Sequence, residues 1–282
     1  MSASWEHIAI LGVGLIGGSI GQAVRHRSLA KRVVGLGRSP RQLEIARSLG
    51  AIDEGTTDLS HAVTGADLVI IATPVNRIIE QVRAVQQMVE PGALITDAGS
   101  TKSDIVRGCG EDRTDRATFI GGHPLAGGER SGVDAASPDL FEKRLVVLTP
   151  TPTTPANALA RLTSFWRELG ANPVEMSAEE HDRILAQTSH VPHCVASALA
   201  AATPAELLDF AATGWRDTTR VAAGDVGLWT EILKQNSVPI AEGLDAVRTQ
   251  LQDMIEALRQ CDWDRVTRLL QEGKQRRDAL GS

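Results

Sequence analysis

Tyrosine is absent from the 282 residues, and aromatic side chains make up only 3% of them. No phenol can therefore serve as a catalyst. Cysteine is scarce too. Cys109, Cys194 and Cys261 form an odd, scattered set without framework spacing, which suits a reducing cytoplasm. Long apolar runs are missing: nothing approaches the roughly 18 consecutive apolar residues of a membrane span. The opening Met1-Ser2-Ala3-Ser4-Trp5-Glu6 lacks the basic-then-apolar pattern of an export signal. Basic charge is not in excess either. A net charge of −6 and a pI near 5.7 argue against a nucleic-acid binder. What is present is ordinary globular composition, 42% hydrophobic and 23% charged. The length exceeds the roughly 100–200 residues of one typical domain, so two domains or one large α/β unit are expected. The expectation is a soluble cytoplasmic protein with neither a membrane nor a nucleic-acid partner.

The first half alternates short β-branched runs with helical patterns, the pattern of an α/β parallel sheet covered by helices on both faces. Strands are expected at 8–11, 32–36, 67–72, 93–96, 118–120, 145–148 and 173–176. Helices are expected at 15–25, 40–49, 75–89, 101–107 and 155–169. The run Asp67-Leu-Val-Ile-Ile-Ala reads as a strand buried on both faces, because nothing in it alternates. The run Thr149–Pro155 looks like a linker but joins a strand to a helix. After about Ser177 strand signals stop, and residues 179–280 read as helical with breaks at Pro192, Pro204, Gly214 and Gly224–Gly227. The division is thus a Rossmann-type dinucleotide-binding domain over 1–177 and an all-α substrate-binding and dimerisation domain over 178–282. Ile240, Leu244, Val247, Leu251, Met254 and Leu258 recur at steps of four and three, one apolar stripe along a helix from Ser237 to Arg259. Such a stripe serves either packing within the domain or a homodimer interface.

Gly12-Val13-Gly14-Leu15-Ile16-Gly17 fits G-x-G-x-x-G between an apolar strand and a helix. Gly12 allows the tight turn, Gly14 the approach of a pyrophosphate, and Gly17 close packing of helix on sheet. Leu15 and Ile16 fall in the same candidate site, as do Thr73 and Pro74 after the central strand. An NAD site usually carries an acid after the second strand, for the ribose hydroxyl. This chain has Gly35-Leu36-Gly37-Arg38-Ser39 there. Arg38, with Ser39, suits the 2′-phosphate of NADP over NAD, although Arg38 could also simply stack on an adenine.

Two further chemical residues fall beyond carboxyl ends of strands, where open α/β sheets bind ligands. Ser100 lies in Thr96-Asp97-Ala98-Gly99-Ser100-Thr101-Lys102, and His123 in Gly121-Gly122-His123-Pro124. The glycines would leave open backbone for a ligand around His123, whose neutral imidazole can accept a hydroxyl proton.

Gly12–Ser19, Asp97–Lys102, Gly122–Gly127, Ser189-His-Val-Pro-His193 and Gly214-Trp-Arg-Asp-Thr-Thr-Arg220 occur in this order. The first motif is generic, but the series resembles the prephenate/arogenate dehydrogenase family of tyrosine biosynthesis over nearly the whole chain. The resemblance implies oxidative decarboxylation of prephenate to 4-hydroxyphenylpyruvate by hydride transfer to NAD(P), or of arogenate directly to tyrosine. It implies His123 as catalytic base and Ser100 as its orienting partner. Arg220, His190 and His193 would bind substrate, Asp182 would support the site, and Trp229 would wall the pocket. Arg216, four residues before Arg220, could help grip a carboxylate or pair with Asp209 or Asp217. His190 and His193 could equally be helix-packing residues. With Cys194 and His181 they could suggest zinc, but no cysteine pair accompanies them, and no metal is expected. Glu129, where the family faces the substrate side chain, could pair with the ammonium of arogenate, pair with Arg130, or gate the pocket for prephenate. Gly128 departs from the threonine often found there. No room is expected for a fused regulatory or chorismate mutase domain, so any feedback by tyrosine is expected at the active site. Competing readings are a β-hydroxyacid dehydrogenase or imine reductase of the same architecture, or a non-enzymatic dinucleotide sensor. The paired histidines and Arg220 weigh against the former, and His123 with Ser100 against the latter.

Overall fold

The computed structural model describes residues 5–110, 117–128 and 130–281. Its elements in chain order begin with β1 (Trp5–Leu11), α1 (Leu15–His26), β2 (Ala30–Leu36), α2 (Pro40–Ser48) and β3 (Glu54–Thr56). Next come α3 (Leu59–Val63), β4 (Leu68–Ile71), α4 (Val75–Met88), β5 (Ala93–Asp97), α5 (Ser103–Gly110) and β6 (Ala117–Pro124). The sheet is completed by β7 (Leu145–Thr149) and β8 (Asn172–Glu175), with α6 (Ala156–Glu168) between them. The remaining helices are α7 (Ala178–Leu185), α8 (Val191–Ala202), α9 (Thr213–Thr219), α10 (Val226–Gln235), α11 (Ser237–Arg259) and α12 (Trp263–Asp278). None of the described helices is long and apolar enough to cross a membrane.

The chain divides into two compact units. The first holds residues 1–185 and 223–236, and so includes α7 and α10; the second holds 186–222 and 237–282. In the first unit the eight strands form one sheet in the order β3-β2-β1-β4-β5-β6-β7-β8. All pairs are parallel except β6 with β7. The order reverses beside β1, where β2 lies on one side and β4 on the other, and such a switch point leaves a crevice at the strands' carboxyl ends.

Both faces of the sheet are apolar. On β1, Ile8 and Ile10 join one buried cluster with Ile20, Phe165 and Trp166, while Ala9 and Leu11 join another with Val69, Ile78 and Val82. All four residues of β4, Leu68 to Ile71, are fully buried, as the unalternating run predicts. Each such side chain contributes about 1.5–3 kcal/mol by leaving water.

Several local features differ from the sequence reading, among them α3, a short helix at Leu59–Val63 that was not expected. β3 was not expected: it is three residues long, lacks an apolar run and pairs only with β2. β6 runs on through Pro124 instead of ending at Ile120. Pro192 does not break the helix: it sits in the first turn of α8, behind one wide π turn at Ala186–His190. Proline lacks an N–H, and a first-turn position needs none. Gly214 likewise lies in the first turn of α9.

In the second unit, α11 spans Ser237–Arg259 as expected, but its stripe is uneven. Ile240 is buried at 4% exposure, whereas Leu251 and Leu258 stand at 57% and 48%. Phe210, Trp263 and Leu270 are exposed as well.

Candidate active site

After β1 the chain turns through Gly12 at φ 93°, a left-handed value that glycine adopts without steric penalty. A Cβ on Gly17 would stand 2.1 Å from the Gly12 carbonyl oxygen, so α1 can begin this close to the turn only with hydrogen at that position. Gly14, the N-cap of α1, is different: a Cβ there would meet nothing within 4 Å. Open space at a helix N-terminus, where backbone N–H groups lack partners, favours an anion. It belongs to a cavity of about 540 Å³ lined by Gly12, Gly14, Arg38, Thr73, Pro74 and Arg77, among others. No Asp or Glu occurs among the described residues lining it.

Five of the residues expected at a dinucleotide site therefore meet in one cavity. Leu15, Ile16 and Gly17 form the first turn of α1 behind it. Ser39 is the N-cap of α2, its hydroxyl accepting from the Gln42 N–H at 3.4 Å. Arg77 and Gln81 escaped the sequence reading. They stand four apart on α4, one turn above the other, and Gln81 accepts a hydrogen bond from the Thr73 hydroxyl.

The second constellation lies along the carboxyl ends of β5 and β6. Asp97 ends β5 and is fully buried, and its carboxylate is paired with the equally buried ammonium of Lys102. It also accepts the backbone N–H groups of Gly99 at 2.8 Å and Gly122 at 3.1 Å. These bonds tie the β5–α5 loop, which carries half-buried Ser100, to the strand that carries His123. The glycines before His123 are not an opening for a ligand, as the sequence suggested. They lie within β6, and a Cβ on Gly122 would come 2.7 Å from the Asp97 carbonyl oxygen. Glycine there lets the two strands close together.

His123 is half-buried, and its Nδ1 lies 2.8 Å from Nε2 of His181. The rings meet edge to face, with centroids 5.0 Å apart. On its far side, Nδ1 of fully buried His181 lies 2.7 Å from the Asp182 carboxylate. Asp182 is capped in turn: its two oxygens accept from the backbone N–H groups of Lys102 and Ser103, each at 2.8 Å. The Asn236 side chain donates to its backbone carbonyl at 2.8 Å. Burial alone would raise the Asp182 carboxyl, but the bonds from His181, Ser103 and Lys102 outweigh it and hold the group below the usual carboxylate range. Burial pushes His181 the other way, below the ordinary histidine value, against the pull of Asp182. The result is a neutral imidazole between a fixed carboxylate and the ring of His123. The sequence reading considered His181 only as a metal ligand; its true neighbour is 58 residues away in the chain. Trp229, on α10, packs partly against the apolar cluster beneath α4.

The other expected site residues belong to the second unit. His190 ends the wide turn at 1% exposure, and His193 is buried one turn on in α8. Burial lowers the pKa of His193, partly offset by a hydrogen bond with the backbone of Val221. Arg216 and Arg220 do not share a regular helix: α9 ends at Thr219, and Arg220 opens a 3-10 turn. The Arg216 Nε donates to the carbonyl of Ala211 at 3.1 Å. Glu129 lies outside the described residues. Among the described residues, no group of three or more His, Cys, Asp or Glu side chains is placed to hold a metal ion. A separate cavity of about 460 Å³, beside Cys109, Gln86 and Thr149, contains none of the expected site residues.

A hydrogen-bonded His–His–Asp chain and a glycine turn open at a helix N-terminus thus occupy the carboxyl edge of one mostly parallel sheet. Comparison with known proteins gives this arrangement a family. Residues 20–175 match the family model described as prephenate dehydrogenase, nucleotide-binding domain, and residues 177–272 match prephenate dehydrogenase, dimerization domain. A prephenate dehydrogenase of Bacillus subtilis is 35% identical over 99% of this chain and 77% of its own length. A cyclohexadienyl dehydrogenase of Zymomonas mobilis is 34% identical over 98% of this chain and 96% of its own. The crystal structure of prephenate dehydrogenase from A. aeolicus, in complex with hydroxyphenyl propionate and NAD+, superposes with a TM-score of 0.91 at 30% identity, covering 99% of this chain and 100% of that one. The chain belongs to the prephenate dehydrogenase family and is an oxidoreductase.

Proposed function

We propose that this chain oxidises and decarboxylates prephenate, with His123 as the base that takes the proton of the ring hydroxyl. The observation that carries this reading is the bond from His123 to the buried His181–Asp182 pair, at the same sheet edge as the Gly12 turn. A bound nicotinamide would supply the acceptor for the hydride leaving the hydroxyl-bearing carbon. The new carbonyl then lets the ring carboxylate depart as carbon dioxide; its electron pair completes the aromatic ring, and the phenolate oxygen so formed takes back the proton held by His123. In this reading Ser100 steadies the hydroxyl, while Arg220, His190 and His193, with Arg216, receive the carboxylates. Trp229 walls the pocket and Asp182 supports the base. Arogenate differs only in carrying an ammonium in place of the keto group, and Glu129 is the residue on which that choice rests. His123→Asn tests the reading: turnover should fall by about 10²–10⁴ while dinucleotide binding persists. Retained turnover would remove His123 from the chemistry.

NADP is proposed over NAD. Arg38 and Arg77 bring two guanidinium groups to a cavity whose described lining has no carboxylate to hold a ribose hydroxyl. Charge-assisted hydrogen bonds contribute about 1.5–3 kcal/mol, so Arg38→Ala should weaken NADP roughly ten- to hundredfold and leave NAD nearly unchanged. Equal loss for both cofactors would assign Arg38 to the adenine instead. The exposed Phe210, Leu251, Leu258 and Trp263 of the second unit support a homodimer through the helices. Light scattering should then give twice the chain mass of 30.1 kDa, and a monomer would refute it.

A further inference from the structure

We infer that His181 is a positioning residue that fixes which nitrogen of His123 is the base. The inference rests on the reading of His123 as general base and deepens it. Polarity is set from the buried end of the chain of bonds. Asp182 accepts from two backbone N–H groups, at 2.8 Å each, so its carboxylate oxygens act as acceptors. His181 Nδ1, 2.7 Å from one of those oxygens, must therefore carry a proton and donate. Fully buried, His181 is held neutral, and a neutral imidazole has one N–H only, so its Nε2 carries the lone pair. His123 Nδ1 lies 2.8 Å from that lone pair and must be the donor. In neutral His123 the lone pair is then left on Nε2, the nitrogen turned away from His181.

This order has a consequence for proton transfer. When the substrate O–H bond breaks and its proton reaches Nε2, His123 becomes a cation. Its Nδ1–H bond to His181 strengthens, and the Asp182 charge behind His181 stabilises it. The charged and titratable groups around His181 are Asp182 beside it on α7, Asp97 and Lys102 at the β5–α5 loop, and His123 on β6. Asp97 and Lys102 neutralise each other, which leaves Asp182 as the net charge behind the pair. α5 also packs on α7 and brings Asp104 and Arg107, which pair with each other at the surface. It also brings buried Cys109, whose thiol is pushed by burial up to about 12 and so stays neutral. β7, the other neighbour of α7, carries no titratable side chain.

Nitrogen NMR of protein labelled at histidine tests the assignment without turnover, with His123 identified by the signal lost in His123→Asn. The expected result is neutral His123 protonated at Nδ1 and bare at Nε2; the opposite tautomer would overturn the inference. Kinetics supply the second arm. His181→Phe keeps an aromatic ring but removes the acceptor. It should lower kcat roughly ten- to hundredfold with little change in KM, and move the acid limb of kcat/KM to lower pH, because the His123 cation loses its support. His181→Gln, whose amide oxygen can still accept, should recover part of the rate. Equal losses in the two variants with an unmoved limb would make His181 merely structural. Should His181→Phe fail to fold, the NMR arm still decides. If His123→Asn retains turnover, the base reading fails, and the tautomer measurement still reports on His181 separately.

Discussion

Replacing Lys102 with methionine should cost stability out of proportion to the change in shape. Lys102 and Asp97 are both at zero exposure and pair directly. Methionine preserves most of the aliphatic volume but leaves the Asp97 charge buried with only the N–H groups of Gly99 and Gly122. Removing one partner of a buried pair costs about 3–5 kcal/mol, because the other charge keeps its desolvation penalty and loses its compensation. In a unit of this size each kcal/mol lowers the midpoint by about 2–4 °C, so Lys102→Met should melt about 6–20 °C below the parent. The double variant Lys102→Met/Asp97→Asn removes the orphaned charge and should regain more than half of the loss. Calorimetry or circular dichroism on the four proteins closes the cycle. A single variant that costs under about 1 kcal/mol, or a double variant that regains less than half of the loss, would refute the pairing as the source of the cost. Activity should fall with stability in the single variant, since Asp97 ties the Ser100 loop to the His123 strand.

Two further outcomes follow from the same geometry. Gly17→Ala places a methyl 2.1 Å from a backbone oxygen, so α1 must shift; dinucleotide affinity should fall at least tenfold in titration calorimetry, and unchanged affinity would contradict the packing described. Stability should also decline as pH falls below about 6.5, the unperturbed histidine value. The folded pKa of His181 is lowered by burial, so its stabilisation is complete above the unfolded value and is lost as pH falls toward the folded one; Asp182, also lowered, adds a loss at still lower pH. His7 and His193 contribute with the same sign as His181. Melting temperatures across pH 5–8 should therefore drop on the acid side, with a shallower slope in His181→Phe, and identical slopes would count against a neutral buried His181.

The strands and the glycine turn were legible because their signals are local: an apolar run, three glycines at fixed spacing, a helical period after them. β3 was not, because its three residues are held by β2 rather than by any pattern of their own. The breaks expected at Pro192 and Gly214 were misplaced for a related reason. Both residues disrupt the middle of a helix but are tolerated in a first turn, and sequence alone does not reveal which turn they occupy. His123 could be singled out from its motif. Its partner could not, since His181 meets it only when β6 and α7 come together. Lys102 reads in sequence as an ordinary loop lysine; its burial depends on Asp97 ending the neighbouring strand. Arg77 and Gln81 were hidden likewise, as polar residues of an amphipathic helix until the cavity beside β4 is seen. The chemistry of single residues was therefore visible, and the pairings that orient them were not.

The most direct test of the whole account is the initial rate of nicotinamide reduction, measured with prephenate and arogenate, each against NADP and NAD. The account predicts turnover of prephenate, faster with NADP, and release of carbon dioxide equal to the nicotinamide reduced. Reduction without carbon dioxide, or no reaction in any of the four pairings, would contradict it.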